Sequence, residues 1–367
     1  MPKLIFTVTN DLNYDQRMQR ICYSLSKNGY QVILVGRKLK TSLPLNQSTF
    51  HQKRLSCFFA KGPFFYVEFN FRLFFYLLYT KFDIVCAIDI DTIIPCYAAS
   101  FLKQQKRVYD AHELFSEQKE IIRRKNIHAV WSMLEKWIIP QFKNGYTVNQ
   151  SIKNEFNKRF GVDYFVIRNL PLKISTVQIQ NANVDEERFI LYQGAVNEGR
   201  CFETLIPAMK NIDCKLVICG TGNFYYQLIQ LIKDNDVGDK VELKGNLLPE
   251  ELHQLTPTAT IGLTFFESTG LNQIYSLSNR FFDYIMAEIP QVCVAFPEYK
   301  RINDEFNIAM LIDNTTVDTV SLAINNLLSD TVIREEMIDN CRKAKEILNW
   351  ENEEIKLLNF WKNICTS

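Results

Sequence analysis

Polar, glycine-containing segments in the second half of the chain could bind an anion. Gly194 and Arg200 lie in one segment, with Arg200 at the start of a predicted helix, and Gly220 and Gly222 lie in the next. Glycines permit close backbone approach to a ligand, and helix starts favour anions. The alternative for Gly220–Gly222 is an ordinary tight turn. A complete GxGxxG is absent, so a dinucleotide site is not expected.

A third segment contains an acid and a glycine after an apolar run. Glu267 is followed by Gly270 and Leu271. A carboxylate beside a small turn suits a sugar hydroxyl, while the turn's backbone amides suit phosphate. We therefore expect this segment to contact both parts of a phosphorylated sugar ligand.

The fourth segment predicts a helix with charged residues near its start. Asn279 and Arg280 fall in the first turn, and Asp283 follows three residues after Arg280. Asn279 and Arg280 could meet a diphosphate there, with Asp283 accepting ribose hydroxyls. The alternative is a solvated ion pair within the helix between Arg280 and Asp283.

Two segments in the first half concentrate polar side chains after predicted strands. His112 and Glu113 follow the strand at Val108–Tyr109, where a histidine beside acids suits proton chemistry or a structural role. After the first strand, Asp15 or Asp11 is expected to cap the next helix.

A possible metal pattern is also present in the first half. Asp89 and Asp91 form Asp–x–Asp, but this spacing is common, and Asp91 fits a helix N-cap. We therefore expect no metal to bind here and no cofactor.

The elements that must position these residues alternate between short apolar runs and amphipathic segments. Leu4–Val8 and Val32–Val35 flank a predicted helix over Tyr14–Asn28, a βαβ unit, and the pattern restarts after Pro171 with six more strands. The fold class is therefore α/β, with two doubly wound Rossmann-like domains facing across a cleft. We predict an N-terminal domain over 1–170, a C-terminal domain over 171–345, and a helix over 346–367 that returns to the first domain.

The net charge of +1 over 367 residues conceals two halves of opposite sign. Residues 1–170 carry 25 basic and 13 acidic side chains, whereas 171–367 carry 17 and 28. The halves are therefore expected to have different partners, and nucleic acid is not expected to be one of them. Ten cysteines without a CxxC pair and four histidines make a zinc site unexpected and favour a cytoplasmic location.

Aromatic residues are concentrated in residues 58–79. Eleven Phe and Tyr side chains occur there, with basic residues nearby. Such a combination suits a peripheral contact with an anionic membrane or a lipid-linked acceptor. Burial in the core is the alternative, and we expect it for most of these residues, with a smaller exposed subset.

The order of the motifs in the second half resembles that of the retaining GT-B glycosyltransferases of glycosyltransferase family 4 (glycosyl transferases group 1). The resemblance is carried by Gly194, Arg200, Glu267, by Gly220–Gly222 and by Asn279–Ile285. It implies a GT-B fold and metal-independent transfer of a sugar, from UDP or GDP, to a glycan or lipid-linked acceptor in surface polysaccharide or glycolipid synthesis. In this family the second domain holds the donor and the first holds the acceptor.

The resemblance also implies residue roles. Arg200 matches the residue that contacts the donor diphosphate, Glu267 the acid that touches the sugar, and Asp283 the acid that holds the ribose. Amides near Gly270–Leu271 match those that face phosphate. His112 matches a residue beside the donor sugar and, with Glu267 and Arg200, is expected to be catalytic. Asp15, Arg17 and Glu113 are acceptor-side candidates.

The sequence departs from the family pattern at several positions. Ala195 stands where an arginine is usual, Cys201 replaces a glycine, and Glu267 and Asp283 are sixteen residues apart instead of eight. A nucleotide-sugar epimerase on the same architecture and a non-catalytic nucleotide-sugar-binding subunit therefore remain alternatives.

Overall fold

The computed structural model describes residues 1–173 and 188–366, which form two units with one parallel sheet each. Unit 1 contains Met1–Asn169 together with the chain from Glu353 onward, and unit 2 contains Leu170–Asn352. The prediction of two α/β domains built on parallel sheets is confirmed.

Unit 1 contains a seven-stranded sheet in the order β3-β2-β1-β4-β5-β6-β7. Its central strands are buried along most of their length, which explains why they are apolar runs and not alternating patterns. The strands are β1 (Lys3–Thr7), β2 (Gln31–Lys38), β3 (His51–Ser56), β4 (Ile84–Ile88), β5 (Lys106–Ala111), β6 (Asn144–Thr147) and β7 (Phe165–Val166). The helices are α1 (Gln16–Lys27), α2 (Pro63–Tyr79), α3 (Ile93–Lys103), α4 (Lys119–Ile122), α5 (Lys125–Ile138) and α6 (Gln150–Phe160).

Unit 2 contains a six-stranded sheet in the order β10-β9-β8-β11-β12-β13. Its strands are β8 (Phe189–Gln193), β9 (Lys215–Cys219), β10 (Val241–Gly245), β11 (Ile261–Thr264), β12 (Gln291–Val294) and β13 (Ala309–Ile312). The helices are α7 (Phe202–Ala208), α8 (Tyr225–Asp234), α9 (Pro249–Leu255), α10 (Leu271–Ile274), α11 (Asn279–Met286), α12 (Pro297–Phe306), α13 (Val317–Ser329) and α14 (Thr331–Ile347). Helix α15 (Trp350–Thr366) begins in unit 2 and continues into unit 1.

The strand order reverses direction once in each sheet. In unit 1 the reversal lies between β1 and β4, and in unit 2 it lies between β8 and β11. In open parallel sheets, the loops that leave the carboxyl ends of the strands at such a point diverge and leave room for a ligand. The loops after β8 and β11 are the ones that carry Arg200 and Glu267.

The final helix differs from the predicted boundary. The prediction placed 346–367 with the first domain, but residues 346–352 belong to unit 2 and the change of unit falls within α15. Trp361, near the end of α15, is fully buried with its ring centre 5.1 Å from that of Phe6 in β1. The last turns of the chain therefore belong to the core of unit 1.

The expectation that most aromatic residues of 58–79 are buried is wrong. Phe65 and Phe69 face the core and Phe74 and Tyr76 are half-buried, but the other seven are exposed. The exposed residues are Phe58, Phe59, Phe64, Tyr66, Phe71, Phe75 and Tyr79. Helix α2 is apolar on both sides, so composition alone could not tell its buried face from its outer one. None of the helices formed by residues 1–173 and 188–366 is long and apolar enough to cross a bilayer.

Candidate functional site

Three glycines connect the carboxyl ends of neighbouring strands in unit 2. The amide of Gly194, after β8, donates to Cys219 O at 2.9 Å, and the amide of Gly220 donates to Gly245 O at 2.7 Å. Gly220 has φ +143°, and a Cβ there would lie 1.9 Å from Gly194 O. Only glycine fits at position 220, because any side chain would collide with the neighbouring loop.

The loops after β8 and β9 are bonded to each other along their length. Val196 N donates to Thr221 O at 3.0 Å, and Asn197 and Asn223 exchange side-chain bonds with the opposite loop. A Cβ at Gly222 would lie 2.3 Å from Val196 O. The two glycine segments therefore form one rigid edge, and Gly220–Gly222 is more than an isolated turn.

Arg200 and Arg280 converge on one aromatic ring at this edge. The guanidinium carbon of Arg200 lies 4.4 Å from the centre of the Phe266 ring, and that of Arg280 lies 5.3 Å from it. Arg280 also lies 4.3 Å from the centre of the Tyr192 ring and is 7% exposed. The alternative of a solvated Arg280–Asp283 pair is therefore wrong for Arg280, whose guanidinium is buried against aromatic rings.

Neither arginine is neutralised by an acid. Among the residues that the structure describes, no carboxylate forms an ion pair with Arg200 or Arg280, and Arg200 Nε and Arg280 Nη1 have no hydrogen-bond partner. Burial and the neighbouring Arg280 charge lower the pKa of Arg200. A buried and a half-buried cation with unsatisfied donors favour the binding of an anion.

The Glu267 loop follows β11 and lies against the Arg200 loop. The amide of Glu267 donates to Gly199 O at 3.1 Å, and its carboxylate accepts from Thr269 Oγ1 at 3.3 Å. Gly270 precedes the four-residue helix α10, which Leu271 begins. Glu267 directly follows Phe266, whose ring is contacted by both arginines.

Asp283 lies one turn after Arg280 on α11 and is anchored to β8. Its Oδ2 accepts from Gln193 Nε2 at 3.1 Å, and Gln193 Oε1 accepts from Thr256 Oγ1 at 2.8 Å. Asn279, by contrast, is exposed at the start of the helix. The half-buried carboxylate of Asp283 is thus held at the same strand end as Gly194.

In unit 1, the two acids after β1 cap helices. Asp15 Oδ1 accepts from Met18 N at 3.1 Å as the N-cap of α1, and Asp11 Oδ1 accepts from Asn13 N at 3.3 Å. The capping interpretation is confirmed for Asp15, whereas Asp11 caps the short 3-10 turn Leu12–Tyr14 that precedes α1. Asp91, in contrast, caps no helix: its Oδ2 accepts from Thr9 Oγ1 at 3.0 Å.

His112 lies between two carboxylates. Its Nε2 is 3.1 Å from Asp110 Oδ2 and its Nδ1 is 3.4 Å from Asp89 Oδ2. Asp110 is fully buried, so its charge acts on the ring with little screening by solvent. Burial disfavours the charged ring, but Asp110 and Asp89 outweigh it and raise the pKa of His112 to about 9. The two carboxylates therefore favour the protonated, cationic ring.

Arg17 lies beneath this histidine. Its Nη2 donates to Asp110 Oδ1 at 3.1 Å and to Ile167 O at 3.1 Å, and its Nε lies 3.0 Å from His112 Nε2. Arg17 is 5% exposed, so it supports His112 and Asp110 instead of presenting a free charge. Glu113 accepts from Gln118 Nε2 and is half-buried.

The predicted residues form one cluster in each unit. Arg200, Arg280, Glu267 and Asp283 gather around the Gly194 edge in unit 2, and Arg17 and His112 meet in unit 1. Sequence reasoning missed the residues that hold them: Tyr192, Gln193, Phe266, Asp89 in its contact with His112, and Asp110 in its pairing with Arg17. Within the described residues, no group of three or more His, Cys, Asp or Glu side chains is placed to hold a metal ion.

Two family models match the chain in adjacent stretches. Residues 16–170 match the model of glycosyltransferase family 4, and residues 174–344 match that of the glycosyl transferases group 1. No curated protein is similar enough in sequence to count as a match.

Solved structures share the fold over the full chain at low sequence identity. Sucrose-phosphate synthase from Thermosynechococcus elongatus is 15% identical with a TM-score of 0.80, and the alignment covers 100% of both chains. Anabaena HepE in complex with UDP-glucose is 13% identical with a TM-score of 0.76, covering 99% of this chain and 100% of that one. The lipopolysaccharide outer core galactosyltransferase WaaB is 14% identical with a TM-score of 0.70, covering 99% of each. These likenesses show the GT-B fold.

Proposed function

Because the chain belongs to the group 1 glycosyltransferases of glycosyltransferase family 4, we propose that unit 2 binds a nucleotide-sugar donor and that Arg200 and Arg280 bind its diphosphate. The observation that carries this proposal is the absence, in the described chain, of any acidic partner for the half-buried Arg200 and the buried Arg280. A diphosphate supplies the missing negative charge, and its oxygens can accept from the unsatisfied Nε and Nη1 donors.

The remaining donor contacts follow from the same edge. Asp283 is proposed to accept the ribose hydroxyls, since its carboxylate is anchored by Gln193 at the end of β8. Glu267 is proposed to accept a sugar hydroxyl, with the amides near Gly270 and Leu271 facing phosphate. The rigid Gly194–Gly220 edge lets the donor approach the backbone without meeting a side chain.

The proposed reaction transfers the sugar with retention of configuration and without a metal. The bond from the sugar C1 to the diphosphate oxygen breaks, and the acceptor hydroxyl oxygen bonds to C1 on the same face. The proton of that hydroxyl passes to the departing diphosphate. Arg200 and Arg280 stabilise the negative charge that develops on the leaving group, the effect that is usually the largest in catalysis.

His112 is proposed to assist as a cation. Flanked by Asp89 and Asp110, whose oxygens lie beside both ring nitrogens, the ring would contribute positive charge near the donor sugar and would not act as a base. Glu113 and the Asp15–Arg17 segment remain proposed acceptor-side elements, with Arg17 acting through His112.

The donor is proposed to be UDP- or GDP-linked and to carry a hexose. Among proteins of this fold, HepE was solved with UDP-glucose, and WaaB is named as a lipopolysaccharide galactosyltransferase. We therefore propose a glycan or lipid-linked acceptor in surface polysaccharide or glycolipid synthesis. No disulfide joins the cysteines of the described residues, which supports a reducing, cytoplasmic location.

Titration calorimetry tests donor binding. Wild type should bind UDP or GDP. Arg200→Ala and Arg280→Ala should each lower the affinity for the nucleotide by about 10- to 100-fold, because charge-assisted hydrogen bonds contribute about 1.5–3 kcal/mol. Lys300→Ala, which removes an exposed cation of unit 2, should leave affinity unchanged. Failure of wild type to bind either nucleotide would sink the proposal.

Retention is tested separately. The product formed in the first turnovers from a nucleotide-sugar panel should have the same anomeric configuration as the donor by NMR. Inverted product would contradict the same-face mechanism, whereas an epimerised donor without any transfer would favour the epimerase alternative.

A further inference from the structure

Helix α2 carries apolar side chains on its outer side as well as on its buried side. Phe64, Val67, Phe71 and Phe75 recur at helical spacing and are 70%, 69%, 65% and 38% exposed. A surface helix ordinarily turns charged and polar residues toward water. The outer side of α2 therefore has the composition of a buried face but no covering within unit 1.

The exposed apolar surface continues over two neighbouring helices. Helix α2 packs against α3, and α3 packs against α5, where the rings of Tyr97 and Trp137 are 5.7 Å apart. With right-handed crossovers, the strand order places these three helices on one side of the sheet. We call this surface the aromatic face; its exposed members are Phe58, Phe59, Phe64, Val67, Phe71, Phe75, Tyr79, Ile94, Phe101, Leu102, Ile127, Val130, Met133 and Trp137.

The segments that carry the aromatic face are strongly basic. Residues 58–81, 93–107 and 119–138 contain eleven Lys and Arg but three acids. One of these acids, Glu135, is buried. Another, Glu68, accepts from the amides of Phe58 and Phe59 and pairs with Arg72 at 2.8 Å. The face therefore presents apolar rings with a basic surround.

We propose that the aromatic face docks unit 1 on a lipid bilayer that contains anionic lipids. Aromatic rings are favoured at the boundary between headgroups and acyl chains, and Lys and Arg around them are attracted to anionic headgroups. A peripheral helix that lies in the plane of the membrane has this combination of apolar and basic residues. The inference concerns unit 1 alone and does not depend on donor binding in unit 2.

The charge of the aromatic face argues against a second copy of this chain as the partner that covers it. In a two-fold dimer the same patch meets itself, so the basic surround of one copy would face the basic surround of the other. An anionic bilayer instead complements both the rings and the charge. It would also bring the enzyme to a lipid-linked acceptor, if the proposed acceptor class is correct.

Vesicle flotation tests the docking. Wild type should float with vesicles of phosphatidylcholine and phosphatidylglycerol at low salt, and binding should fall by at least about tenfold with phosphatidylcholine alone or at high salt. The double variant Phe71→Glu/Phe75→Glu should lose binding by a similar factor. The control Leu322→Glu/Val332→Glu, which changes exposed apolar residues of unit 2, should float like wild type.

Trp137, which is 54% exposed on the face, gives a second readout. Its fluorescence should shift to the blue when anionic vesicles are added, and Trp137→Phe should remove the shift. A circular dichroism melt of the double variant, compared with that of wild type, shows that it is folded. Absence of wild-type flotation at low salt, or equal flotation of the double variant, overturns the proposal. A concentration-dependent dimer that Phe71→Glu/Phe75→Glu disperses would instead assign the face to a second copy.

Discussion

Arg200 and Arg280 share the ring of Phe266, with guanidinium carbons 4.4 Å and 5.3 Å from its centre. Phe266 is 3% exposed and comes from the loop after β11, whereas the arginines come from the β8 loop and α11. An aromatic ring attracts cations without neutralising them. The ring thus orients both arginines and leaves their full charge available to an anion, which a carboxylate in the same place would not do.

Replacing the ring should weaken nucleotide binding without unfolding the protein. Phe266→Leu keeps an apolar side chain but removes the cation–π contacts, each of about 0.5–2 kcal/mol, so UDP or GDP affinity should fall by roughly 5- to 30-fold. Phe266→Tyr keeps the ring and should retain affinity within about twofold. Calorimetry with both variants checks this, and equal affinity of Phe266→Leu and wild type would show that the ring only fills space.

Removing one of the two arginines should stabilise the ligand-free protein while it weakens the nucleotide complex. Arg200→Leu eliminates the repulsion from Arg280 and the burial of an unsatisfied Nε, so we expect an increase of about 1 kcal/mol in the free energy of unfolding. For a unit of this size, that corresponds to an increase in Tm of roughly 2–4 °C. Calorimetric melting without and with UDP or GDP measures both effects. A lower Tm for the ligand-free variant would contradict the expectation.

His112 should make the stability of unit 1 depend on pH. Its pKa in the folded chain, about 9, lies above the ordinary value of 6.5, so the folded state binds more protons than the unfolded state between these values. The stabilisation is complete below about pH 6.5 and is lost as pH rises through about 9. Urea unfolding followed by tryptophan fluorescence should show a decrease of roughly 2 kcal/mol across this window, which is absent in His112→Gln.

Asp89 should also affect the pH at which activity declines on the basic side, because it contacts His112. Asp89→Asn removes one of the two carboxylates that hold the imidazolium, so the apparent pKa on the basic side of the kcat/KM profile should fall. The analogous substitution Asp83→Asn, which changes an exposed acid of unit 1, provides the control. An unshifted profile in Asp89→Asn would exclude His112 as the titrating group.

Alanine at Gly220 should disrupt the donor edge. The added Cβ would lie 1.9 Å from Gly194 O at a φ of +143°, so we expect a loss of at least about 2 kcal/mol in stability together with loss of nucleotide binding. At Gly238, where a Cβ would meet nothing within 4 Å, the same change should alter stability by less than about 1 kcal/mol. Melting temperatures of the two variants make the comparison, and equal effects would argue against the close approach.

Apolar runs predicted much of the fold because a strand buried on both sides can contain little else. The apolar runs Leu4–Val8, Val32–Val35, Ile84–Ile88 and Val108–Tyr109 of the first half fall on β1, β2, β4 and β5, and the six strands predicted in the second half fall on β8–β13. β3 was missed since it lies at the sheet edge and reads HQKRLS, with polar residues throughout. β6 was missed because it reads NGYT and contains no apolar run, and β7 was missed because it is two residues long.

Site residues were predictable from the sequence where the residue type itself indicates a chemical role. Residues that only support another residue were not predictable. Arginines and acids beside glycines indicated an anion and hydroxyl site, and Asp15 indicated a cap. Phe266 and Tyr192 could not be distinguished from core aromatics, because their role lies in which cations pack on them. Arg17 looked like a cleft residue, and only its distance to Asp110 shows that it is buried beneath His112.

The passage of α15 from unit 2 into unit 1 affects the order in which the chain can fold during synthesis. Every residue of unit 2 is added to the chain before Trp361, which packs on Phe6 in the first strand. Unit 1 therefore cannot complete its core until synthesis is nearly finished, although it contains the first residues of the chain. Until the last helix arrives, the hydrophobic surface beside β1 is uncovered, and a nascent chain of this protein has a reason to engage a chaperone late in its translation.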